Sequence, residues 1–149
     1  MISSYCLDTN ILIHLVRGKS LGKSIDQAYG LSAAPYQHTI SIVSHAEMQV
    51  LCDRKNWGEP KRLALDKALK QFVTIDIVGS LIVEAYRKVE EANAAHHEGH
   101  RNMGKNDIWI AATAMVAGLA LLSADKDFNH LNGKLLEVLY VDPQSYQIS

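Results

Sequence analysis

The sequence predicts an α/β fold, a three-layer sandwich in which a mostly parallel central sheet is flanked by helices. Short apolar runs alternate with helix-like segments, which is the order of βα units. The runs are continuous rather than alternating, as in strands covered on both faces. One late helix is apolar all round and must be buried.

Residues 5–7 form the first strand and 11–16 the helix after it. Residues 40–43 and 45–52 form the second pair, and 72–77 with 81–95 the third. Between them, 61–70 sets Leu63, Leu65 and Leu69 among charges behind Pro60, a surface helix with proline in its first turn. Residues 95–106, with His96, His97, Gly99, His100 and Gly104, break the periodicity and read as a loop. A helix starting near Asp107 holds Ile108, Trp109, Ile110, Ala111, Ala112, Ala114, Met115, Val116 and Ala117, with only Thr113 polar. Residues 119–122 are the last strand.

With 149 residues, 48% of them hydrophobic, the chain fits one domain over 1–149, since domains commonly run to about 100–200 residues. Cys6 and Cys52 are too few for a disulfide framework and lack metal-ligand spacing, so a reduced, cytoplasmic setting is expected. Residues 1–5 lack the basic start and apolar core of a signal peptide. The weakly polar run 110–122 is shorter than the roughly 18 residues of a membrane span, so no membrane partner is expected. Fifteen Lys and Arg against sixteen Asp and Glu give a net charge of −1, which by itself does not advertise a nucleic-acid binder.

In open parallel sheets ligands bind outside the carboxyl ends of the strands. Acidic residues fall there repeatedly: Asp8 after the first strand, Glu47 one turn into the next helix, Asp125 and Asp127 after the last strand, and Asp107 opening the buried helix. Each also has a plain reading. Asp8 caps the first helix; Ser44 and Glu47 form a capping box; Asn106 or Asp107 caps the buried helix; residues 125–127 make a polar turn. Capping does not explain why all of them fall on one edge. Carboxylates sharing a pocket repel one another and need protons or a cation. Hard oxygen donors suit Mg²⁺ or Mn²⁺, whereas zinc prefers Cys and His. Such ions activate water for phosphodiester hydrolysis.

Residues 7–10 (Leu-Asp-Thr-Asn), Ser44 with Glu47, the run 106–114 beginning Asn-Asp-Ile-Trp, and 122–128 (Leu-Ser-Ala-Asp-Lys-Asp-Phe) together resemble the PIN-domain ribonucleases, and among them the VapC toxins. The resemblance covers essentially the whole chain and implies a PIN-like sandwich. It implies that Asp8, Glu47, Asp107 and Asp125 are catalytic and hold Mg²⁺ or Mn²⁺, with Asp127 a fifth metal ligand and Asn10 and Ser123 supporting them through hydrogen bonds. It implies cleavage of single-stranded or looped RNA to 5′-phosphate and 3′-hydroxyl ends, a small antitoxin partner, and a homodimer.

An acidic pocket needs basic residues around it to receive RNA. Arg101 and Lys105, beside Asp107, are the preferred pair; Arg17, Lys19, Lys23 and Lys126 are further candidates. Residues 53–70 carry six basic against three acidic side chains. Trp57, Tyr29, Tyr36 and Tyr86 could stack on unpaired bases, Trp57 being the expected exposed aromatic, while Trp109 belongs to the buried helix. The histidines read as a solvated loop outside the site. Rival readings are a PIN-type nuclease of RNA processing without a toxin role, a non-catalytic binding module, and an aspartyl-phosphate phosphatase or receiver. The phosphatase would want Asp at position 10, which is Asn; the receiver lacks an acidic pair before the first strand. Setting Asp8, Glu47, Asp107 and Asp125 aside leaves fifteen basic against twelve acidic residues, a balance compatible with RNA.

Overall fold

The computed structural model describes residues 3–33 and 37–146. Five strands, β1 (Tyr5–Leu7), β2 (Thr39–Ser41), β3 (Val73–Ile75), β4 (Ala120–Ser123) and β5 (Val138–Tyr140), form one sheet in the order β3-β2-β1-β4-β5. Every strand pairing is parallel. Cys6 stands opposite Thr39 on one side and Leu121 on the other. Among the described residues, six α-helices cover the sheet: α1 (Thr9–Arg17), α2 (Ser20–Tyr29), α3 (Ile42–Arg54), α4 (Glu59–Leu69), α5 (Ser80–Ala94) and α6 (Lys105–Ala117). Short 3₁₀ turns span Lys126–Leu131 and Pro143–Tyr146. The predicted α/β sandwich is therefore observed.

The pleat sorts the core into two layers, because neighbouring residues of a strand face opposite sides. Leu7, Ile40 and Leu122 join Ile11, Leu12, Met48 and Leu65 under α1, α3 and α4. Cys6, Leu121 and Val138 join Ile108, Ile110, Ala111 and Phe128 under α6. Ala111, Ala112 and Ala114 are fully buried, Ala111 and Ala114 with the strand residues Cys6 and Leu121 and Ala112 with Ile82 and Ala85 of α5, as expected of a helix apolar all round.

The chain winds outward from β1 through β2 to β3, then returns through α5 and α6 to place β4 on the other side of β1. The carboxyl ends of β1 and β4 thus flank the point where the winding reverses, the usual crevice of such sheets.

Several boundaries differ from the sequence expectation. The second strand stops at Ser41 and α3 begins at Ile42, so residues 42–43 are helical despite their β-branched side chains. Ser41, not Ser44, is the cap: its hydroxyl accepts the Val43 N–H at 3.1 Å. The helix after Pro60 begins at Glu59. The loop ends at Gly104, because α6 begins at Lys105 with Gly104 as its cap; neither Asn106 nor Asp107 caps it. The helix α2 and the strand β5 were not anticipated.

Candidate active site

Asp8 leaves β1 and caps α1. One carboxylate oxygen accepts the Thr9 N–H at 2.7 Å and the other accepts the Ser123 hydroxyl at 2.7 Å. The Ser123 Oγ also accepts the Asp125 N–H at 2.9 Å. One fully buried serine at the end of β4 therefore ties Asp8 to the backbone carrying Asp125. Asn10 reinforces this junction, its side-chain oxygen accepting the Ala124 N–H at 3.1 Å. Both support residues named from the sequence bond within the site.

Glu47 reaches the same place from α3. The Thr9 hydroxyl donates to Glu47 Oε1 at 2.7 Å and lies 2.9 Å from the Ser44 hydroxyl. With its one proton on the carboxylate, Thr9 accepts from Ser44. Thr9 and Ser44 were not anticipated as site residues. Ser44 and Glu47 are three apart, hence on one helix face, but that spacing also spells a capping box, and no local pattern places Thr9 beside them.

Asp107 enters from the first turn of α6, and Asp125 caps the following 3₁₀ turn by accepting the Asp127 N–H at 2.9 Å. Asp107, Asp125 and Asp127 bring ligand oxygens within 4.8 Å of one another. Burial pushes the Asp8 carboxyl up to about 7, with the Asp107 and Glu47 charges adding to it and the Ser123 and Thr9 hydrogen bonds opposing it. Burial, then the charges of Asp125, Glu47 and Asp127, push Asp107 up to about 6. Five carboxylates from four parts of the chain thus meet here, and the charges of the others bear on Asp8 and Asp107. Their donors are all hard oxygens, and each shift is one that a divalent cation would relieve. Burial and Asp8 push the neighbouring Cys6 thiol up to about 12, so it is no nucleophile at neutral pH.

A family comparison matches the PIN domain over residues 5–134. The chain belongs to the PIN-domain family. Among solved structures, it is similar to VapBC2 of Rickettsia felis bound to a promoter DNA fragment: 22% identity, TM-score 0.73, with 95% of this chain and 100% of that one covered. It is similar to a toxin–antitoxin complex from Klebsiella pneumoniae at 29% identity and TM-score 0.65, covering 97% and 100%. VapBC-1 of nontypeable Haemophilus influenzae follows the same fold at 24% identity and TM-score 0.71, covering 94% and 98%. No curated protein matches the sequence.

Around this PIN-family edge, Arg101 lines a cavity of about 320 Å³ together with His100, Asn102, Met103 and Asp127. Lys105 is exposed at the start of α6. The aromatic candidates fare less well. Tyr86 packs on Trp109 with ring centroids 4.3 Å apart, and Tyr29 meets Tyr5 edge-on at 5.8 Å. Trp57 is half-buried rather than exposed, and Tyr36 lies outside the described residues. The loop histidines are more organised than expected: His96, His97 and Glu98 bring ligand atoms within 4.8 Å, and His96 meets His130 edge-on at 5.4 Å. Among the described residues, no helix is long and apolar enough to cross a membrane.

Proposed function

We propose that the chain, one PIN-like unit over residues 1–149, is a divalent-metal-dependent endoribonuclease that hydrolyses single-stranded or looped RNA and serves as the toxin of a toxin–antitoxin pair. The observation that carries this reading is the gathering of Asp8, Glu47, Asp107, Asp125 and Asp127 at the carboxyl edge of a parallel sheet, where burial first and neighbouring carboxylates second push Asp8 up to about 7 and Asp107 up to about 6. A group of carboxylates held so close gains from a cation and costs stability without one.

Asp8, Glu47, Asp107 and Asp125 would hold Mg²⁺ or Mn²⁺, with Asp127 at the exposed side. When bound, the ion supplies Lewis acidity to a phosphodiester and lowers the pKa of an attacking water. Ser123 and Thr9 hold the carboxylates of Asp8 and Glu47 against rotation by direct hydrogen bonds. Asn10 fixes the loop that carries Asp125. Arg101 and Lys105 offer positive charge to RNA phosphates beside Asp127 and Asp107. The toxin role and antitoxin partner draw support from the VapBC and toxin–antitoxin complexes that the fold resembles. The reading includes a homodimer, for which Val78 and Leu81, 77% and 76% exposed, offer apolar surface, and a cytoplasmic location.

The test is direct. Purified protein with Mn²⁺ should cut labelled single-stranded RNA, leaving 5′-phosphate and 3′-hydroxyl ends, and Asp8→Asn should reduce the rate at least about 100-fold, as loss of a principal electrostatic contact does. Intact RNA with the wild-type protein, or an Asp8→Asn variant as active as wild type, would overturn the catalytic reading in favour of a binding module.

A further inference from the structure

The basic residues that do not border the carboxylates are not scattered. At the far end of α1 from Asp8, Val16, Arg17, Lys19, Lys55, Trp57 and Lys61 line a cavity of about 460 Å³ whose lining includes no acidic side chain. Gly18, left-handed at φ 62°, ends α1 and sets Arg17 and Lys19 on either side of the turn. Asn56, at φ 51°, turns the chain after α3 so that the Trp57 N–H returns to the Cys52 carbonyl at 3.0 Å. Arg62 locks this turn, donating to the Trp57 carbonyl and to Asp53, both at 2.9 Å. The nearby acid, Asp53, is thereby already paired. Among the described residues, none of Arg17, Lys19, Lys55 and Lys61 takes part in an ion pair. Lys61 Nζ lies 5.3 Å from the centre of the Trp57 ring.

The cavity lies along the same two helices as the acidic edge. Thr9, Ile13, Glu47, Leu51 and Arg54 line a second cavity of about 460 Å³. Thr9, Ile13 and Arg17 are successive turns of one α1 face; Glu47 and Leu51 are successive turns of one α3 face, which Lys55, the residue that caps α3, continues. The two cavities therefore follow one another along the α1–α3 groove. Eight residues of helix separate Thr9 from Arg17, about 12 Å, a span that a short single-stranded segment bridges.

We propose that the Trp57 cavity is a second RNA subsite, where Arg17, Lys19, Lys55 and Lys61 take successive backbone phosphates and Trp57 stacks an adjoining unpaired base of the strand that is cut at the carboxylates. It rests on the ribonuclease reading of the acidic edge. A fixed aromatic plate among unpaired cations is the usual equipment of single-strand binding. An acidic peptide would use the cations but has no need of the plate.

The experiment measures binding of a labelled eight-nucleotide single-stranded RNA in EDTA, read by anisotropy and by quenching of tryptophan fluorescence. Lys55→Gln/Lys61→Gln alters two exposed side chains and keeps the fold. It should weaken binding about tenfold at low salt and lower the slope of log affinity against log salt by about 1.4, from about 0.7 per phosphate contact. Trp57→Phe should remove the quenching with the slope unchanged. Wild-type affinity and slope in the double variant would overturn the subsite, as would poly-glutamate that binds the cavity more tightly than the RNA. If those variants match wild type while cleavage proceeds with Mn²⁺, the subsite fails and the nuclease stands. If wild type never cleaves but binds RNA with the predicted quenching and slope, the subsite stands and the nuclease reading fails.

Discussion

Asp8 shows that capping and site roles need not compete. Its two oxygens satisfy the first N–H of α1 and the Ser123 hydroxyl, yet the carboxyl is only 4% exposed and shares its surroundings with Asp107 and Glu47. The sign of the resulting pH dependence follows. Below the ordinary value of 3.8 both folded and unfolded chains hold the proton; between there and about 7 the unfolded chain loses it and the folded chain keeps it. Stability of the metal-free protein should therefore fall as pH rises through this window. Asp8→Asn keeps an acceptor for Thr9 and should flatten the profile, measured as melting temperature by circular dichroism from pH 4 to pH 8. An unchanged slope would show that Asp8 is not strained. Ser123→Ala tests the support from the other side. It strips Asp8 of a donor and leaves the Asp125 N–H without its acceptor, so denaturant titration should find a loss of about 1–3 kcal/mol. Asp8, Glu47, Asp107 and Asp125 were legible because each follows a strand or opens a helix at the same edge. Thr9 and Ser44 were not, because the spacing of Ser44 and Glu47 also spells a capping box, and only tertiary packing sets Thr9 between them.

At the scale of elements, the order of strands and helices was readable and the boundaries were not. Ile42 and Val43 continue the apolar run of β2, so residue preference extends the strand, but Ser41 caps a helix there and packing decides. The helix α2 sets Leu21, Ile25 and Tyr29 on one face, but it is only ten residues long and follows Lys19 with no side-chain cap to mark it. The strand β5 is three residues long at the sheet edge. Gly22 is the informative residue of this missed helix. A Cβ built there would lie 2.1 Å from the backbone carbonyl oxygen of His14, which no rotamer change can relieve. Gly22→Ala must therefore push α2 off α1, at a cost of about 2 kcal/mol or more, lowering the melting temperature by about 4–8 °C for a domain of this size. A variant that melts with wild type would show that the two helices are not packed backbone to backbone. The same test at Gly58, where a Cβ meets only a Pro60 side-chain carbon at 3.8 Å, should leave the melting temperature nearly unchanged.

For the whole molecule, the near-zero net charge conceals a separation. Five carboxylates gather where β1 and β4 end, while four cations that form no ion pair among the described residues gather about two helical turns away along α1. Composition alone sums over both and could not reveal either. The strain of the acidic end should be visible in the stability of the entire fold. A divalent cation that binds only the folded state adds about 2.7 kcal/mol at one hundred times its dissociation constant, or about 5–11 °C in melting temperature. At pH 5 the ion must displace the protons that Asp8 and Asp107 retain, with values of about 7 and about 6; at pH 8 it need not. The shift on adding Mn²⁺ should therefore be larger at pH 8 than at pH 5 and should shrink in Asp107→Asn, which in the absence of metal should melt at or above wild type because one repelling charge is gone. The measurement is thermal denaturation with and without EDTA, with NaCl at matched ionic strength as the control. An equal shift from NaCl would reduce the cluster to a screened surface charge, and a large loss of stability in metal-free Asp107→Asn would make that residue a structural part of α6 instead of a cation ligand.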